Sequence, residues 1–318
     1  MRHRHRHQHR RAWRRSPTAD QLRIRRAQVA GQRLCQPGAP GLKAIFVDGP
    51  GLAGLRWSKG HIPVLALHGW LDNANSFLPL SAALDGLDLI ALDFPGHGQS
   101  RPRPAGCRYL FDDYVFDVIA AADALGWERF HLLGHSLGGA VSSLVAAACP
   151  ERVSSLALIE GLGPLTTPVD QTVSAWRRAI QRSRTRPRRV HPDRHQAILA
   201  RAANGDLGEA EAQLLAERGL VETDSGFSWS HDQRLTWPSP HRYTEPQVLE
   251  LLAAIEAPVL NIYAEPASGI LAGAALERRL AALRQQRLFA HPGGHHLHMQ
   301  YPDALAPVIK EFFHEHQA

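Results

Sequence analysis

Long apolar runs are missing from this sequence. Nowhere do eighteen uncharged apolar residues follow one another, so no membrane-spanning helix and no membrane partner are expected. Cysteine is scarce: Cys35, Cys107 and Cys149 are odd in number and lack metal-ligand spacing, which excludes a disulfide frame and points to a reducing, cytoplasmic setting. Neither HExxH nor CxxC occurs, and His3, His5, His7 and His9 alternate along a tail that cannot close around an ion, so no metal or other cofactor is expected. No internal repeat is present, which excludes a solenoid. Acid is nearly absent from residues 1–33, where eleven Arg face only Asp20. That segment carries +10 of a total of +6, leaving the rest of the chain at −4. Such a block buries too little apolar surface to fold, so residues 1–40 are expected to form a basic, disordered extension. No apolar stretch follows it as in an export signal. An extension without function and an arm for nucleic acid or an anionic surface both fit it, and a nucleic-acid partner is not expected.

What is present is a globular body, with 44% hydrophobic and 21% charged residues. Short continuous apolar runs at Ile62–Leu67, Asp88–Leu92, Phe130–Leu133, Ser154–Ile159 and Val259–Tyr263, with a weaker one at Arg287–Phe289, predict buried parallel strands. Between them, helical spacing runs over Phe111–Leu125, Leu137–Ala148 and Ala272–Leu283, and a last helix starts at Pro302. This alternation predicts an α/β fold with a mostly parallel central sheet and helices on both faces. It breaks off over 161–256, read as an inserted helical cap, so 41–160 and 257–318 form the core.

The strongest local signal is Gly134-His135-Ser136-Leu137-Gly138, which follows a strand and opens a helix. This context makes G-x-S-x-G a nucleophile elbow: the serine sits on a strained turn and the glycines let strand and helix approach closely. The Leu137 N–H and the helix N-terminus then face a developing oxyanion.

HGWLDNANSF, DFPGHGQS and GHSLGG stand in this order from His68, Asp93 and Gly134, followed by Asp232-x-Arg234-Leu235, Pro238-Ser239-x-x-Arg242 and a closing GGHHLHMQYP. Together they resemble the serine hydrolase-like proteins of the α/β-hydrolase superfamily, from about Leu42 to the C-terminus. The resemblance implies the α/β-hydrolase fold and a cofactor-free hydrolase whose base follows the last strand. Of His291, His295, His296 and His298, it favours His295, because Gly293-Gly294 precedes it and Gln300 and Pro302 follow at the familiar spacing. His296 stays open, and His298 reads as a packing residue. The usual Asp after the strand at Val259–Tyr263 is replaced by Ala267, so the triad acid is expected from Glu160, which ends the strand at Ser154–Ile159, with Glu265 as the alternative. The resemblance also implies an oxyanion N–H from Trp70, and a substrate pocket lined by Gly69, Trp70 and His135.

These residues support a serine hydrolase that cleaves a small carboxylester or thioester through an acyl-enzyme. Non-catalytic binding on the same fold and C–C bond hydrolysis stay open. The arginines from Arg177 to Arg189 read as a solvated face, and Val248–Ile255 as an apolar substrate contact, so an uncharged substrate is expected. Oligomeric state is not legible.

Overall fold

The computed structural model describes residues 41–184, 187–204, 207–266 and 272–317, so the basic segment 1–40 and Ala267 lie outside the described residues. In chain order the strands are β1 (Leu42–Val47), β2 (Leu52–Ser58), β3 (Gly60–Leu67), β4 (Gly86–Leu92), β5 (Phe130–His135), β6 (Val153–Ile159), β7 (Leu220–Thr223), β8 (Gly226–Trp229), β9 (Val259–Glu265) and β10 (Gln286–Pro292). The helices are α1 (Leu78–Ser81), α2 (Asp113–Ala124), α3 (Leu137–Ala148), α4 (Thr172–Arg182), α5 (Arg194–Ala202), α6 (Glu209–Gly219), α7 (Glu245–Ala253), α8 (Ala274–Ala282), α9 (Leu297–Gln300) and α10 (Pro302–Glu315). No described helix is long and apolar enough to cross a membrane.

Eight strands form one sheet in the order β1-β2-β4-β3-β5-β6-β9-β10. From β4 to β10 every neighbouring pair is parallel, while β1 and β2 add an antiparallel edge. Side chains alternate strictly between two cores, as a two-residue period demands. On β3, Leu65 and Leu67 enter the layer that also holds Val118 of α2, Val145 of α3 and Leu252 of α7. Ile62, Val64 and Ala66 enter the opposite layer with Leu80 of α1 and Phe312 and Phe313 of α10. Burial on both faces explains why these strands read as unbroken apolar runs.

Two departures from the sequence expectations matter. β1 and β2 were not expected; they pair as an edge hairpin across which Arg56 forks onto Asp88 of β4, with a shortest contact of 2.6 Å. The apolar stretch at Val248–Ile255 does not face a substrate. Val248, Leu252 and Ile255 are buried in the same core layer as α3, so α7 belongs to the core and the segment that leaves it ends before α7. That segment carries α4, α5, α6 and the β7–β8 hairpin between β6 and α7. It docks on the loops that follow β3 and β4, at the carboxyl edge of the sheet where sites form in open α/β folds.

Candidate active site

Three described non-glycine residues have positive φ: Leu71 at 62°, Ser136 at 51° and Glu160 at 51°. All three follow the carboxyl ends of central strands, β3, β5 and β6. Each such conformation costs on the order of 1–3 kcal/mol, and strain of this kind persists where the surroundings hold it and clusters at working sites.

At Ser136 the surroundings are backbone. Its N–H donates to the Ile159 carbonyl at 2.9 Å, and the Gly138 N–H donates to the His68 carbonyl at 3.1 Å, so the elbow is stitched to β6 and to the end of β3. The glycines are steric requirements. A Cβ on Gly134 would stand 2.6 Å from the Gly138 carbonyl oxygen, and one on Gly161 would stand 2.5 Å from the Ser136 carbonyl oxygen. Leu137 opens α3, so its N–H has no acceptor within the helix.

The base and acid expected from the sequence come together. His295 Nδ1 lies 3.4 Å from Glu160 Oε2, with the imidazole part-exposed and the carboxylate buried. The other oxygen, Oε1, accepts the Ala264 N–H at 2.7 Å, which fixes the carboxylate between β6 and β9. Glu265, the alternative acid, ends β9 with its side chain exposed. His296, the alternative base, is buried and turns the other way, its Nε2 3.4 Å from Asp72.

The loop after β3 is a tight turn, closed by the Asp72 N–H donating to the Gly69 carbonyl at 3.1 Å. Leu71 takes the third position with the positive φ that a type II turn requires and glycine usually supplies. Behind it, His68 is fully buried. Its Nε2 accepts the Phe94 N–H at 3.0 Å, which leaves the proton on Nδ1 to donate to the Gly69 carbonyl at 2.7 Å. Trp70 is half-exposed, and its indole N–H donates to the Leu235 carbonyl at 3.1 Å, tying the inserted segment to the loop. A groove of about 460 Å³ opens there, lined among others by Trp70, Leu71 and Trp229 and by Arg188, Arg189 and Arg201. Arg188 and Arg189 thus help line a groove, whereas Arg177 and Arg178 lie exposed on α4.

Two residues expected in the pocket lie behind it. His135 and Gly69 are buried. His135 Nε2 donates to the His295 carbonyl at 2.9 Å, so this imidazole supports the loop that carries His295. Gly69 lacks a side chain because a Cβ would stand 2.8 Å from both Asp72 Oδ2 and His135 Nδ1.

Asp72 is the residue that sequence reasoning missed. Fully buried, it takes Arg201 of α5 on Oδ1 at 2.8 Å and holds His296 Nε2 at 3.4 Å on Oδ2, with His135 Nδ1 at 3.6 Å. One carboxylate therefore joins the inserted segment to the loop that carries His295. Burial alone would raise its pKa, but the hydrogen bond to His296 and the electrostatic pull of its neighbours, Arg201 among them, hold it far below the carboxylate range. Asp72, His135 and His296 are also the one group among the described residues with metal-ligand spacing. Arg201 already occupies the carboxylate, and its charge would repel a cation. Around Asp72 the insertion is pinned further: Asn73 and Asn75 donate to the Leu215 and Leu214 carbonyls at 2.9 Å each, and Arg218 pairs with buried Asp93 at 2.8 Å. A loop with three short polar side chains and no apolar periodicity was the available signal.

Burial keeps several imidazoles neutral, those of His135 and His298 beside the site and that of His131 on β5. It pushes His298 down to about 3 and His131 to about 4, and His135 well below its ordinary value. An unfolded histidine titrates near 6.5, so between that value and the folded pKa the unfolded chain binds more protons. Stability is then full above about pH 6.5 and falls as the pH drops toward 4, by up to about 1.4 kcal/mol per pH unit for each such histidine. Thermal midpoints measured from pH 8 to pH 4 should fall steeply below 6.5; a flat profile would show that these rings are protonated in the folded state.

A family model for the alpha/beta hydrolase fold matches residues 62–301. A serine hydrolase-like protein of Danio rerio is 33% identical over 275 residues, covering 82% of this chain and 84% of its own. The crystal structure of a hypothetical protein from Pseudomonas aeruginosa superposes with a TM-score of 0.79 at 40% identity, covering 86% of this chain and 99% of that one. A thioesterase domain from the curacin biosynthetic pathway shares the fold with a TM-score of 0.74 at 24% identity, covering 84% and 98%. With the elbow, the parallel sheet and these likenesses together, the chain belongs to the α/β-hydrolase family and, within it, to the serine hydrolase-like proteins.

Proposed function

We propose that this protein is a serine hydrolase that cleaves carboxylesters or thioesters through an acyl-enzyme on Ser136. The observation that carries the reading is the conjunction of a strained serine at the strand–helix elbow with a histidine–glutamate pair 3.4 Å apart, beyond the ends of β10 and β6. Glu160 holds the proton of His295 on Nδ1 and leaves Nε2 free to take the Ser136 proton. The Ser136 oxygen attacks the carbonyl carbon, and the negative charge that forms on the carbonyl oxygen is met by the N–H groups of Trp70 and Leu137. His295 then gives its proton to the departing alcohol or thiol. A water molecule, deprotonated by the same imidazole, releases the acid and restores Ser136.

The test is a panel of p-nitrophenyl esters of graded chain length together with an acyl thioester. Saturable turnover of at least one member is expected. Turnover of none, from protein that is folded by circular dichroism, would remove the reading.

A further inference from the structure

Helix α4 is amphipathic in the wrong sense for a helix that packs on its own protein. The residues it buries are Ala175 and Ala179, while Val173, Trp176 and Ile180 are 60%, 49% and 70% exposed. Val169, in the turn that leads into it, is 74% exposed. Positions 169, 173, 176 and 180 share one helical face, so these side chains form a continuous outward stripe. Isolated exposed apolar residues are ordinary, but an aligned set containing a tryptophan marks a surface made for something else.

Charge says what that is. α4 contains Arg177, Arg178 and Arg182 and no acidic residue, and none of the three is ion-paired among the described residues. Residues 1–33 add a block of eleven arginines against one acid. Two like-charged copies of this face would repel. The stripe also offers only a few hundred Å² of apolar surface, well short of the roughly 800 Å² per partner of a stable interface. An apolar stripe with a tryptophan, bordered by cations, in a chain that also carries a polybasic segment, matches the two-part binding of interfacial helices to anionic bilayers.

We propose that the outward face of α4 docks the protein on an anionic lipid surface. Val169, Val173, Trp176 and Ile180 enter the headgroup boundary, and Arg177, Arg178 and Arg182 meet the lipid phosphates. The proposal is independent of which ester, if any, is hydrolysed, because binding is read without turnover.

The full chain is sedimented with vesicles of phosphatidylcholine and phosphatidylglycerol at 7:3, and with phosphatidylcholine alone. Binding to the mixed vesicles is expected, weaker in 0.5 M salt and weak on phosphatidylcholine. The double variant Val173→Glu/Ile180→Glu should bind at least tenfold more weakly. Both positions are exposed, and thermal melting of this variant and of the milder Val173→Ala/Ile180→Ala pair checks that the fold is kept. Failure of the unaltered chain to bind mixed vesicles would overturn the proposal. So would equal binding by the glutamate variant, which would assign binding to the arginines alone. A dimer by light scattering that the same variant splits into monomers would instead make the stripe a self-association surface.

Discussion

Ser136→Ala should lower kcat/KM by about 10⁴-fold or more on any ester the protein turns over, because without the hydroxyl no acyl-enzyme forms and only binding and the oxyanion donors remain. The protein should stay folded. The strain at Ser136 lies in its backbone, at φ 51° and ψ −111°, and alanine inherits it unchanged. Glycine would relieve it, so Ser136→Gly should be equally inactive and more stable by about 1 kcal/mol. Steady-state rates and thermal midpoints of the two variants check both statements. A variant that keeps a tenth of the unaltered rate would place the nucleophile elsewhere.

Glu160→Gln should cost nearly as much, on the order of 10³–10⁴-fold in kcat. The amide can keep the contact to the Ala264 N–H through its oxygen, as Oε1 does now at 2.7 Å. It then turns its NH₂ toward His295 Nδ1. That nitrogen must become an acceptor, the ring proton moves to Nε2, and the imidazole can no longer take the Ser136 proton. The variant should bind substrate normally, so the loss appears in kcat rather than KM. Glu265→Gln should change the rate less than twofold, because that side chain is exposed at the end of β9. The reverse order would hand the acid to Glu265 and leave Glu160 as a strut between β6 and β9.

Much of this architecture was legible in the chain. Strands buried on both faces must be apolar throughout, so Ile62–Leu67 and Ser154–Ile159 stand out, and their ends locate Trp70 and Glu160. The edge hairpin escaped notice because Lys43 interrupts the apolar run of β1, and because Gly54 interrupts β2. That glycine is there because a Cβ would meet the Ala91 carbonyl oxygen at 2.6 Å, a constraint visible only once β2 and β4 are paired. Val248–Ile255 looked like a pocket wall because apolar helical spacing marks a buried face without saying what buries it. His135 and Asp72 were opaque for a related reason. Side chains within a motif point to different sides of a turn, and the cluster they form draws on His296 and Arg201, 224 and 129 residues further along the chain from Asp72. Glu160 and His295 were expected together from the resemblance, and they meet at 3.4 Å because the ends of β6 and β10 both lie at the carboxyl edge of the parallel sheet.

The claim on which the rest depends is that Ser136 is an activated nucleophile. Incubation of the protein with a fluorophosphonate, followed by proteolysis and mass spectrometry of the adduct, addresses it without any knowledge of the substrate. A single adduct on Ser136 is expected, slowed strongly by His295→Ala and absent from Ser136→Ala. No adduct, or one on another residue that persists in Ser136→Ala, would contradict it.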